Sequence, residues 1–125
     1  MPVNRYEDKG IARYWNSKYD EDYHPYLHGR QQKVLDLISD LELPEDATCL
    51  ELGTGGGQNA VKYAEMGLHV HGVDSSEELL KTADKLAIPG SNMEFSNVDL
   101  DRRMPFEDAS FDLVVVVGTL QYLLE

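Results

Sequence analysis

Residues 49 to 60 read CLELGTGGGQNA, an apolar run carrying one acid, Glu51, that breaks into four glycines within five residues. Glycine lets the backbone turn tightly and approach a ligand without side-chain obstruction. A helix that starts directly after such a loop adds free N–H groups and a partial positive charge. This combination suits a nucleotide. Asp74 supports the same chemistry. It closes the segment HVHGVD, about 20 residues beyond the glycines, where an acid accepts hydrogen bonds from ribose hydroxyls. The same carboxylate could cap the helix that begins SSEE. Ser75 and Ser76 already offer capping oxygens there, so ribose is the favoured reading.

These side chains need elements to position them. Residues 30–42, RQQKVLDLISDLE, set Val34, Leu35, Leu37, Ile38 and Leu41 at helical spacing, and Pro44 punctuates the chain after them. ATCLEL predicts a first strand, GGQNAVKYAEMG a helix stopped by Gly67, and LHVHGVD a second strand. SSEELLKTADKLA predicts a helix in which Ser75 and Glu78 have capping-box spacing. MEFSNVD is a third strand, LDRRMPFEDAS a loop and FDLVVVVG a fourth strand, and TLQYLLE begins another helix. Strands alternating with helices imply right-handed crossovers and a parallel sheet. The unbroken apolar run Leu113–Val117 fits a strand covered on both faces. The expected fold is α/β: a three-layer, doubly wound, Rossmann-like parallel sheet of about four strands behind N-terminal helices. We expect one domain over 1–125, with 1–44 as a helical lid segment and 45–125 as a partial core.

A dinucleotide fingerprint is GxGxxG. Gly53 and Gly55 fit it, but the third position is Gln58. The spacing here is instead GxGxG, at Gly53, Gly55 and Gly57, with an acid two residues before the first glycine. With Asp74 and Asp99, this pattern resembles the class I S-adenosylmethionine-dependent methyltransferases, whose strand end is Glu51-Leu52-Gly53-Thr54-Gly55-Gly56-Gly57 here. VHGVDSSEELLKTA resembles the family's second motif. NVDLDRRMPFEDASFDLVVVVGTLQYL is similar to its third strand, acidic loop and fourth strand. MPFEDASFDLV, Met104 to Val114, is close to the form common in the small-molecule, type 11-like branch.

The resemblance implies S-adenosylmethionine as cofactor and S-adenosylhomocysteine as product. It implies Glu51 near the methionine amino group, Asp74 on the ribose and Asp99 at the adenine amino group. A carboxylate beside a bound cation is favoured over one left alone in an apolar surround. Gly53, Thr54, Gly55, Gly57, Ser75, Leu100 and Gly118 complete the expected cofactor set. The acceptor pocket is expected beyond the fourth strand. Gly118, Thr119, Gln121 and Tyr122 stand there, and Tyr14, Trp15 and Tyr19 could line a lid, or pack an amphipathic helix on the sheet. No catalytic residue is identified. His24 and His28 read as flanking a helix start at Pro25 rather than as a metal pair, and no metal is expected. Cys49 reads as a core thiol.

The bulk numbers restrict the partners. A net charge of −12 over 125 residues disfavours a nucleic-acid backbone and an anionic membrane. No apolar run approaches the roughly 20 residues of a membrane span. One cysteine fits a reducing compartment, and we expect a cytoplasmic protein. The family's sheet has seven strands in the order 3-2-1-4-5-7-6, and only strands 1 to 4 are expected here. LVVVV would then form an unprotected sheet edge. A homodimer or a complementing chain could cover residues 113–117. The expected function is methyl transfer to an unidentified small molecule. A protein (lysine) methyltransferase is one alternative, and a non-catalytic cofactor-binding or dimerising half-domain is another. A dehydrogenase is disfavoured by Gln58 and by the helical extension before the first strand.

Overall fold

The computed structural model describes residues 25–87 and 89–117. Helix α1 spans Pro25–Ser39, and strand β1 spans Thr48–Leu52. Helix α2 is Gln58–Glu65, strand β2 His69–Asp74, helix α3 Glu77–Asp84, strand β3 Met93–Asn97 and strand β4 Leu113–Val116. The expected readings at Tyr14, Trp15, Tyr19, His24, Gly118, Thr119, Gln121 and Tyr122, and most of the lid segment, lie outside the described residues.

Proline opens α1, where its fixed φ suits a first turn and its missing N–H leaves nothing unpaired. The helix therefore starts before the expected residue 30. It also ends before the expected residue 42. Ser39 Oγ turns back onto the Leu35 carbonyl at 2.9 Å, and Leu41 N–H reaches the Ile38 carbonyl at 3.0 Å, which closes a tighter last turn. Val34, Leu35 and Ile38 face the core, whereas Leu37 is 67% exposed and Leu41 falls beyond the helix. Gly67 terminates α2 as expected, with φ +96° and its N–H on the Ala64 carbonyl at 2.9 Å. The cap of α3 is one residue later than expected: Ser76, not Ser75, accepts the Leu79 N–H at 3.2 Å. Glu78 meets Lys81 at 3.2 Å.

All strand pairs are parallel, in the order β3-β2-β1-β4. The register sets two rows on one face. Cys49, Val70, Met93 and Leu113 form the first row, and Glu51, Gly72, Phe95 and Val115 form the second. Ile38 of α1 and Ala60 and Tyr63 of α2 join Cys49, Val70 and Val115 in one apolar cluster. A Cβ built on Gly57 would meet Phe95, Ala83 of α3 and Leu86 just past its end, which puts α3 on this face too. Among the described residues, helices therefore cover this face only. The opposite face carries Leu50, His71, Glu94 and Val114 in a row. Val114 is 53% exposed there, unlike a strand covered on both sides. The loop before β4 reaches this face through Phe106 and Phe111, whose rings lie 5.0 Å and 6.3 Å from His71. His71 also contacts Glu94 at 2.9 Å and Ser96 at 2.7 Å. No helix among the described residues is long and apolar enough to cross a membrane.

Candidate functional site

The C-terminal ends of β1 and β2 meet at the glycine loop. Gly53, Gly55 and Gly57 take φ values of +77°, +58° and +84°, a region that a Cβ penalises and glycine enters freely. The GxGxG spacing is thus the record of a backbone that turns left-handed at every second residue. Gly53 N–H and Thr54 N–H both bond the Val73 carbonyl at 2.9 Å, which pins the loop across the end of β2.

Asp74 ties this loop to α3. One carboxylate oxygen accepts the Gly55 N–H at 2.8 Å, and the other accepts the Ser76 N–H at 2.9 Å. Asp74 is only 5% exposed. Burial raises its pKa, and the backbone N–H groups of Ser76, Gly55 and Ser75 oppose that rise. Asp74 therefore neither caps the helix by itself nor stands free at the strand end.

Glu51 is 2% exposed and sits on the helix-covered face. Thr54 Oγ1 donates to its carboxylate at 2.6 Å. Burial pushes its pKa up to about 8; the Thr54 hydrogen bond opposes the rise, the Asp74 charge adds to it, and the nearby Asn59 amide lowers it slightly. No lysine, arginine or histidine among the described residues acts on it. A buried carboxyl group with donors and no cation is poised for a cationic group on a ligand. Beneath it, Gly72 leaves the space that the Thr54 side chain fills. A Cβ on Gly72 would collide with Thr54 Oγ and lie 2.8 Å from both Thr54 Cβ and Phe95 Cδ1. Gly72→Ala is therefore expected to cost about 1–3 kcal/mol of stability by overpacking. It should also pull Thr54 from Glu51; an unchanged urea midpoint would count against this fit.

Asp99 lies two residues past β3 and is exposed. Its carboxylate accepts from Asp101 N–H at 3.0 Å and Arg102 Nε–H at 3.1 Å. The Val98 N–H bond to the Asp74 carbonyl at 3.0 Å and the Asn97 amide on the same oxygen at 3.2 Å hold this segment beside the end of β2. Ser75 and Leu100 flank the same end and are half-buried. Cys49 is fully buried, and burial, with the Glu51 charge behind it, pushes its thiol up to about 12, so it is an inert core thiol. Among the described residues no cluster of three or more His, Cys, Asp and Glu could hold a metal. A cleft of about 300 Å³ at the other end of the sheet, lined partly by His69, Ser91 and Phe111, lies away from the strand ends where such sheets bind ligands.

Sequence reasoning missed three members of this site: Gly72, Asn59 and Gln31, whose amide donates to Asn59 Oδ1 at 2.8 Å. Ser76, named in the sequence as a capping oxygen, is the cap. The missed three become visible only with the register and the helix docking.

The site offers a ligand a buried acid for a cationic end, a second acid for hydroxyls and a left-handed glycine backbone between them. A family profile described as methyltransferase domain matches residues 49–125. A Bacillus subtilis (strain 168) protein named as a methyltransferase, YqeM, is 35% identical over 65% of this chain and 33% of its own length. The Plasmodium falciparum phosphoethanolamine N-methyltransferase is 27% identical over 89% of this chain and 41% of its own. The chain thus spans about a third to two-fifths of these relatives. The structure of the Synechocystis magnesium protoporphyrin IX methyltransferase with bound S-adenosylhomocysteine overlays at TM-score 0.67. It is 25% identical and covers 92% of this chain and 56% of that one.

Proposed function

Because the chain belongs to the methyltransferase domain family, of the class I S-adenosylmethionine-dependent kind, we propose that it binds S-adenosylmethionine at the glycine loop and serves methyl transfer to a small-molecule acceptor. The observation that carries this reading is Glu51, a buried acid without a basic partner among the described residues, next to three left-handed glycines and Asp74. In this reading Glu51 receives the methionine ammonium, Asp74 the ribose hydroxyls and Asp99 the adenine amino group. Gly53, Thr54, Gly55 and Gly57 form the cradle, and Ser75, Leu100 and Gly118 are our remaining cofactor-binding candidates.

Bound, the cofactor supplies a sulfonium methyl that is reactive in itself. The chain's task is then orientation and exclusion of water. A general base is needed only for an acceptor that must lose a proton. Tyr14, Tyr19, Thr119 and Tyr122 are our acceptor-side candidates, with 1–44 acting as a lid on a core over 45–125. The relatives support a small acceptor: one is named for phosphoethanolamine and the solved structure for a porphyrin. The acidic net charge of −12 and the single, buried cysteine support a cytoplasmic protein without a nucleic-acid partner.

One observation favours a second reading, a non-catalytic or dimerising half-domain. Among the described residues β4 ends the strand order, and its Val114 is exposed on the face that no described helix covers. A second copy or a complementing chain could pair with that edge. Calorimetry with S-adenosylmethionine and S-adenosylhomocysteine, together with light scattering, tests both readings. Binding of either ligand by the 125-residue chain is the expected result. Binding of neither would overturn the cofactor assignment, and a strict monomer would remove the β4 dimer.

A further inference from the structure

The face of the sheet opposite Glu51 carries a second constellation, which the cofactor reading does not use. His71 of β2 lies across from Glu94 of β3, and Ser96 follows two residues on, so all three side chains stand on that face. His71 Nδ1 meets Glu94 Oε1 at 2.9 Å, and His71 Nε2 meets Ser96 Oγ at 2.7 Å. A carboxylate only accepts, so in the neutral ring Nδ1 carries the proton and donates it to Glu94. Nε2 is then left to accept the Ser96 hydroxyl. The result is the order serine, imidazole, carboxylate, with each ring nitrogen on the partner that nucleophilic catalysis requires. Phe106 and Phe111 set their rings edge-on to His71, at 5.0 and 6.3 Å, and so restrain its orientation. His71 and Ser96 are half-buried, and Glu94 is exposed. A cleft of about 300 Å³ opens beside them and is lined in part by His71, Glu94 and Phe111.

We propose that Ser96, His71 and Glu94 form a separate site that hydrolyses small, neutral carboxylic esters. Ser96 Oγ attacks the ester carbonyl carbon while His71 Nε2 takes its proton. The carbon–oxygen bond to the alcohol then breaks, and His71 returns the proton to the departing alkoxide. Water attacks the acyl-serine and gives its proton to His71; the carboxylic acid leaves as that proton goes back to Ser96 Oγ. Glu94 holds the ring in the required tautomer and faces the imidazolium that forms. A donor for the oxyanion stands next to the nucleophile. Val98 N–H bonds the Asp74 carbonyl at 3.0 Å. Because N–H directions alternate along a strand, the Asn97 N–H points away from β2, to an edge that no described strand covers. There it can donate to a carbonyl oxygen seated over Ser96. The cleft volume limits the ester to a small one, the two phenylalanines suit an apolar acyl group, and a net charge of −12 disfavours an anionic one. The proposal does not depend on the S-adenosylmethionine reading.

The experiment treats the 125-residue chain with an alkyl fluorophosphonate, which phosphonylates an activated serine with loss of fluoride, and locates the adduct by peptide mass spectrometry. Hydrolysis of p-nitrophenyl acetate is followed in parallel. The expected result is an adduct on Ser96 and ester hydrolysis that Ser96→Ala removes while its circular dichroism spectrum stays that of the original chain. His71→Gln should slow both labelling and hydrolysis by about 100-fold or more, the scale of a general base. Absence of an adduct on Ser96 in the original chain would overturn the proposal, and that measurement needs no variant to fold. Hydrolysis that is unchanged in Ser96→Ala, or labelling of Ser96 that is unchanged in His71→Gln, would overturn it as well and leave the three side chains as a polar clasp between β2 and β3.

Discussion

Asp74→Ala is expected to weaken S-adenosylmethionine binding by about 10- to 100-fold and to destabilise the fold by about 2–4 kcal/mol. Both effects come from one carboxylate. Its oxygens accept the Gly55 and Ser76 N–H groups at 2.8 and 2.9 Å in a site that is almost closed to water. Alanine leaves two inward N–H groups without their charged partner, and a hydrogen bond to a charged group contributes about 1.5–3 kcal/mol. The glycine loop loses its tie to α3, so the ligand meets a looser cradle as well as a missing ribose acceptor. Asp74→Asn separates the two contributions. Its amide oxygen can keep one of the N–H bonds, so urea stability should fall by less than in alanine. Calorimetric affinity should still fall, because the charge facing the hydroxyls is gone. Lost stability with unchanged affinity in both variants would reduce Asp74 to a clamp of the loop.

The double duty of Asp74 marks the limit of what the sequence made legible. The order of strands and helices followed from periodicity and turn residues, and the parallel order β3-β2-β1-β4 agrees with it. The GxGxG spacing was readable because left-handed backbone leaves glycine behind in the sequence. Element ends were less legible. Ser39 and Ser76 each set a boundary through one local side-chain bond; the apolar pattern ran past Ser39 to Leu41, and the capping-box spacing pointed one residue early, to Ser75. The support of Glu51 was not legible. Gly72 is needed only because Thr54 lies across β2, a fact of register. Gln31 and Asn59 stand 28 residues apart and meet only when α1 docks on α2.

Glu51→Gln should stabilise the unliganded protein at alkaline pH while it weakens cofactor binding. Burial raises the folded-state pKa of Glu51 from 4.5 to about 8. Between those values the folded protein holds a proton that the unfolded chain has released. Folding stability therefore falls as pH rises from about 4.5 to about 8, and it levels off above that. Asp74, also raised by burial, adds to the slope in the same direction. Ionised Glu51 then costs the free protein about 3–5 kcal/mol at pH 8.5. Glutamine carries no such charge, so urea midpoints of the variant should depend less on pH and should exceed those of the original chain at pH 8.5. Binding should show the reverse. An ammonium ion satisfies the ionised carboxylate and removes the cost, so affinity for S-adenosylmethionine should rise with pH through about 8 in the original chain, up to the ionisation of the ligand. In Glu51→Gln it should be about 10- to 100-fold weaker at pH 8, the scale of a lost charged contact, and that part of the pH dependence should vanish. A variant that is both less stable at pH 8.5 and unchanged in affinity would show that Glu51 is an ordinary buried acid held by Thr54. The opposed signs are what a functional site predicts: the free fold tolerates an unfavourable charge that only its ligand relieves.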